Sequence, residues 1–159
     1  MPKTKSIMTT ARVEKQMVKP ITVLLADDNK PVRQAFRIIL EQEADLKVVG
    51  EAKDGVQAVA LAKKLHPAVV LMDMAMPRLN GLQATGQILQ ADPAAKVLML
   101  SAHSDEAYIT AAINAGAMGY LIKQESADIV CQAIREVHQG KAYFSASIPK
   151  RLHKKNRKK

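Results

Sequence analysis

Tryptophan is absent from this sequence and aromatic side chains make up only 3% of it, so any core it builds is aliphatic and methionine-rich. Its one cysteine, Cys131, excludes an intrachain disulfide and fits a reducing cytoplasm. No apolar run approaches the roughly 20 residues that cross a bilayer. The opening stretch MPKTKSIMTTARVEKQMVKP has no continuous apolar region of the kind that marks a secretory signal. Negative charge is the remaining scarcity, and it is local. Residues 149–159 hold seven cations and no acid, residues 1–19 carry a net +4, and residues 20–148 carry a net −2. The formal +9 belongs to the two ends.

With 159 residues, 48% of them hydrophobic, the chain suits one globular domain with a sizeable core. That domain is expected over residues 20–140, with a basic N-terminal extension at 1–19 and a basic C-terminal tail at 141–159. At its centre stands AVVLMDMAMP, Ala68 to Pro77. An apolar run without alternation leads into Asp73, as in a strand buried on both faces of a parallel sheet. Pro77 and Asn80-Gly81 end the ladder and open a loop. A lone carboxylate is thereby set at the carboxyl end of a central strand, where open α/β sheets bind ligands.

The same grammar repeats along the chain. Ile21 to Ala26 reads as a buried strand ending in Asp27-Asp28. Asn29-Lys30-Pro31 starts a helix that carries Val32, Ala35, Phe36, Ile39 and Leu40 on one face. Lys47 to Ala52 is a short strand. Asp54-Gly55-Val56-Gln57 has the form of a capping box and opens a helix to about Leu65, ended by His66-Pro67. Asn80-Gly81 opens a third helix, and Lys96 to Leu100 predicts a fourth strand ending at Ser101. Ser104-Asp105-Glu106 brings a cap and negative charge to a helix that Gly116 stops. Met118 to Ile122 is a fifth strand ending at Lys123, and Ile129, Val130, Ala133, Ile134 and Val137 mark a last helix closed by Gly140. The expected fold is α/β, a flavodoxin-like (βα)5 three-layer sandwich with parallel sheet order 2-1-3-4-5.

All carboxyl ends of a parallel sheet lie on one edge. That edge receives Asp27 and Asp28, Asp73, Ser101 and Lys123. Crowded carboxylates repel, and one takes up a proton unless a cation neutralises them. An all-oxygen donor set with few protein ligands suits Mg²⁺, which keeps waters and binds carboxylates together with a phosphate. A divalent cation, an ammonium, a hydroxyl and a nucleophilic carboxylate together describe phosphoryl transfer to an aspartate.

On LLADDN, VLMDMAMPRLNG, LMLSAH and GYLIK, the sequence resembles the CheY-like receiver domain of two-component response regulators, over about residues 20–140. The resemblance implies that Asp73 is the phosphoacceptor. It implies that Asp28 binds Mg²⁺ directly, that Asp27 acts largely through water, and that the Ala75 carbonyl completes the protein ligands. Lys123 is then the partner of the phosphoryl group, Ser101 turns to hydrogen-bond it, and Tyr120 rotates inward. Such a receiver catalyses its own phosphorylation and dephosphorylation rather than turning over an external substrate. Its phosphoryl source is a histidine kinase or phosphotransfer protein, and its output face is formed by the fourth helix, fifth strand and fifth helix. That face is open to a downstream protein or to a second copy of the chain. Ala75, two residues after the acceptor, has no polar side chain to position an attacking water, which implies a long-lived phosphoaspartate. His103, two after Ser101, stands where family side chains influence water access.

The pattern is similar to the subfamily with a C-terminal helix-turn-helix output. The sequence ends at Lys159, 19 residues after Gly140, so the expectation is a stand-alone receiver or a fragment of a longer protein. Three readings stay open. The leading one is a cytoplasmic signalling switch. The second is a nucleic-acid-binding transcriptional regulator, acting through the tail or a missing output domain. The third, a phosphatase, is weakened because no second aspartate follows Asp73 two residues on. The tail, Pro149 to Lys159, is expected as a solvated charge run, open at most to weak attraction by an anionic partner. His66, His138 and His153 lack ligand spacing, Cys131 reads as an inert helix thiol, and the methionines read as core filler.

Overall fold

The computed structural model describes residues 19–152; the N-terminal extension up to residue 18, His153 and the last cations lie outside the described residues. Among the described residues six parallel strands form one sheet: β1 (Ile21–Ala26), β2 (Leu46–Ala52), β3 (Val69–Asp73), β4 (Val97–Ser101), β5 (Gly119–Ile122) and β6 (Tyr143–Phe144). Five helices connect the first five strands and precede the sixth: α1 (Lys30–Glu41), α2 (Gly55–Leu65), α3 (Gly81–Ala91), α4 (Glu106–Asn114) and α5 (Ala127–His138). The strand order is β2-β1-β3-β4-β5-β6, the expected order with one strand added.

Alternate residues of each strand face opposite sides of the sheet. Leu24, Val70, Met72, Met99 and Tyr120 face the side covered by α2, α3 and α4, where Ala58, Ile88 and Ile113 are buried. Val23, Leu71, Leu98 and Leu121 face the side covered by α1 and α5, with Leu40, Ile134 and Val137. Every residue of β3 and of β4 is buried, which explains their unbroken apolar sequence.

Helix starts follow local chemistry, with two departures from expectation. The Asn29 side chain accepts from Val32 N at 3.3 Å and the Asp54 side chain from Gln57 N at 2.8 Å. The Gln57 side chain, however, accepts from Lys53 N rather than from the Asp54 amide, so the box at α2 closes one residue early. The full reciprocal box is at α3, between Asn80 and Gln83. At α4, Asp105 holds the cap position but makes no side-chain capping bond. Gly116 and Gly140, at φ 103° and 86°, end α4 and α5 as expected.

A solvated run is expected from Pro149, but Leu152 is buried, and structured chain within the basic tail already begins at Tyr143. Tyr143 and Phe144 pair with Gly119 and Tyr120, and Phe144, Ile148 and Leu152 are buried in the core on the α4 side. These three recur every fourth residue, a period that a run of cations in the same stretch conceals. Ser145 fixes the strap: its amide donates to the Tyr120 carbonyl, and its hydroxyl oxygen accepts from Ile122 N at 2.9 Å. Arg151 is ion-paired with Glu106 at the start of α4. Among the described residues no helix is long and apolar enough to cross a membrane.

Candidate functional site

Strand register brings the site together. Ala26 pairs with Met72, so Asp27 and Asp73 follow at one level. Asp73 pairs with Leu100, and Ser101 with Ile122, so Ser101 and Lys123 each stand one step beyond their neighbour. The Lys123 amide donates to the Ser101 carbonyl at 2.8 Å, carrying the ladder one residue past β5. Close approach of the next helix holds the acceptor strand from behind. A Cβ on Gly81 would lie 2.2 Å from the Asp73 carbonyl oxygen, so α3 starts against β3 only because residue 81 has no side chain.

Lys123 Nζ lies 3.1 Å from Asp73 Oδ1 and 3.5 Å from Asp27 Oδ2. Asp73 Oδ1 also accepts from Ala75 N at 3.3 Å, and Asp27 Oδ1 from Asn29 N at 2.9 Å. Asp27 and Asp73 are buried, while Asp28 is exposed. Burial, reinforced by the neighbouring Asp27 charge, pushes the Asp73 carboxyl up to about 6, and Lys123 and the Ala75 amide pull only partly against it. Burial pulls the Lys123 ammonium down, but Asp73 and then Asp27 outweigh it and hold it above its ordinary value.

One lysine does not saturate these acids. Asp27 Oδ2 is buried and accepts no hydrogen bond; Lys123 stands at ion-pair distance only. Oxygens of Asp27, Asp28 and Asp73 lie within 4.8 Å of one another. A buried oxygen without a donor, beside a carboxyl forced toward its protonated form, is a donor set suited to a hard divalent cation. The cluster expected from the sequence is therefore compatible with such an ion. Ala75 enters the site through its amide and is itself exposed.

Ser101 and Tyr120 meet at His103. Ser101 Oγ is buried, accepts from His103 N at 3.0 Å and sits 3.9 Å from Met74 Sδ. Tyr120 is wholly buried, and its hydroxyl donates to the His103 carbonyl at 2.7 Å. Tyr120 is thus already inward. The exposed His103 ring stacks on Tyr108, with centroids 4.3 Å apart. Two other pairings are not legible in the sequence: Ser145 with β5, and Arg78 with the buried Asp54 at 3.6 Å, which ties two loops at this edge. Neither has a motif, because both depend on loops brought together only by the sheet.

The remaining singled-out residues lie elsewhere. His66 ends α2 in a left-handed conformation, and His138 closes α5, its carbonyl accepting from Lys96 Nζ. Cys131 is buried on α5, and burial pushes its thiol up.

A family model described as the response regulator receiver domain matches residues 23–135. The transcriptional regulatory protein DegU of Brevibacillus brevis is 40% identical over 138 residues, which cover 87% of this chain and 58% of that protein. The response regulator UvrY of Escherichia coli K12 is 40% identical over 132 residues, covering 83% of this chain and 61% of that protein. The chain thus spans under two thirds of the length of each. Among solved structures, a two-component response regulator of the LuxR family from Aurantimonas sp. SI85-9A1 superposes with a TM-score of 0.80. It is 31% identical, and the match covers 86% of this chain and 98% of that one.

Proposed function

The chain belongs to the response regulator receiver domain family, and from that premise we propose that Asp73 is the residue that takes the phosphoryl group. The observation that supports this most is the Asp27, Asp28 and Asp73 cluster with Lys123 Nζ 3.1 Å from the acceptor carboxylate. A carboxylate oxygen of Asp73 attacks the phosphorus of a phosphohistidine. The P–N bond breaks as the P–O bond forms, and the imidazole leaves, taking up a proton. Lys123 balances charge that grows on the phosphoryl oxygens, and the Ser101 hydroxyl can turn from Met74 to donate to one of them. Asp27, Asp28 and Asp73, with the Ala75 carbonyl, would hold Mg²⁺, which when bound supplies the charge that lets an anionic donor approach acids.

The protein is a phosphoacceptor that acts on itself. A histidine kinase or phosphotransfer protein is the proposed donor. Phosphorylation replaces the single charge of the Asp73 carboxylate with a phosphoryl group that carries nearly two, which draws on Ser101 and Lys123 and biases the Ser101–His103–Tyr120 connection. The proposed readout is by a partner protein on the face of α4, β5 and α5, where β6 covers the edge of β5 and forms part of the surface presented. A regulator of transcription remains the second reading, because DegU carries that description and extends beyond the region matched here.

The test is incubation with acetyl phosphate and Mg²⁺, followed by intact mass measurement. One phosphoryl group should be incorporated in the parent protein and none in Asp73→Asn. Equal labelling of the two would overturn the assignment.

A further inference from the structure

Arg33, on the first turns of α1, reaches back to the strand end that carries Asp27 and Asp28. Its side chain is largely buried at 13% exposure, and both edges of its fork are occupied. Nη1 donates to the Asp27 carbonyl at 2.7 Å, and Nε donates to Glu51 Oε1 on β2 at 3.1 Å. The other Glu51 oxygen accepts from Arg37 Nε at 2.8 Å, and Arg37 Nη1 donates to Glu41 at 2.8 Å. Burial works against ionised Glu51, but Arg37 and Arg33 outweigh it and hold its pKa below the ordinary value.

We infer that Arg33, braced by Glu51, is a positioning residue for the divalent-cation site; this rests on the proposed reading of that site. The carbonyl it grips belongs to the peptide between Asp27 and Asp28. Rotation of that peptide turns both carboxylates. Asp27 is already committed on its other atoms, with its amide on the Ala52 carbonyl, Oδ1 on Asn29 N and Oδ2 facing Lys123. Arg33 fixes the remaining group, so the buried Asp27 and exposed Asp28 carboxylates stay converged on Asp73. The shallow pocket beside Arg33 and Asp27 is only about 10 Å³, with Leu25, Phe36, Leu71 and Leu100 on its apolar walls. A planar guanidinium reaches the carbonyl and the carboxylate at once, which a lysine cannot.

Three roles for Arg33 predict different results. If it acted only by its charge, removing it would leave the acids more negative and tighten cation binding. If it only stabilised the fold, melting would change and affinity would not. A positioning role loosens affinity, and orienting partners of ligands typically account for about 10–100-fold.

The experiment is Mn²⁺ titration of the full chain at fixed ionic strength, with free Mn²⁺ read by electron paramagnetic resonance. Arg33→Met should raise Kd about 10-fold with an unchanged circular dichroism spectrum, and Arg33→Lys should fall between it and the parent. Asp28→Ala is the reference for a lost ligand. If the parent and Asp28→Ala bind Mn²⁺ alike, the cation site itself is wrong. If the parent binds and Asp28→Ala does not, but Arg33→Met binds as well as the parent or better, the positioning role is wrong. Should Arg33→Met fail to fold, Arg33→Lys and Glu51→Gln decide. Weaker Mn²⁺ binding in both supports the role, and parental affinity in either overturns it.

Discussion

At the residue scale, the fold holds Asp73 at about 6 against an ordinary 3.8, chiefly by burial. A carboxyl whose pKa is raised on folding destabilises the native state above that pKa, and the penalty disappears as pH falls from about 6 toward the ordinary value. The offset corresponds to at most about 3 kcal/mol, reduced by whatever Lys123 loses with its partner. In metal-free buffer Asp73→Asn should therefore melt above the parent at neutral pH and lose that advantage near pH 4; a lower melting point at neutral pH would refute this. The exposed Ala75 carries the second prediction. Ala75→Asn supplies a polar group that can position water, and should shorten the phosphoaspartate lifetime by ~10–100-fold. Decay of acid-quenched samples measures it, and an unchanged lifetime would sink the link between this side chain and hydrolysis. The placement of Asp27, Asp73, Ser101 and Lys123 at one sheet edge is legible because each ends an apolar run. That of Arg33 is not, since its partner is a backbone carbonyl and no side-chain pattern records that.

At the scale of elements, the first five strands and five helices were legible from apolar runs, caps and stops such as Asn29, Gly116 and Gly140. β6 was not. Two residues are too short for a strand period, and Phe144, Ile148 and Leu152 are diluted by Lys150 and Arg151. The sequence points to a capping box at Asp54, while Asn80 holds the reciprocal one, because residue types alone do not reveal which amide a glutamine reaches. The strap makes its own prediction. Ser145→Ala leaves the part-buried Ile122 amide without its acceptor, which should cost about 1 kcal/mol in denaturant unfolding, the low end of the range for an unpaired donor. Parental stability would mean that the amide finds another partner.

At the scale of the whole molecule, the position of Leu152 decides where the basic tail can be cut. Leu152 is fully buried, so truncation at residue 148 removes core as well as charge. Removal of residues 153–159 spares every described core residue and takes away five cations, Lys154, Lys155, Arg157, Lys158 and Lys159. If the tail engages duplex DNA through about five cations, log K should fall with log[salt] at a slope near −4.5, and that association should vanish in the shortened protein while Asp73 phosphorylation persists. Salt-dependent binding that survives the cut would place the contact elsewhere. The strap has a further consequence, for colloidal behaviour. Without residues 143–145, β5 would present a row of open backbone donors and acceptors beside an apolar face, a template on which strands of other molecules could grow. Closing that row with a strand of two residues, followed by cationic chain, leaves no long edge there to copy. An edge of two residues offers a neighbouring molecule little backbone to pair with.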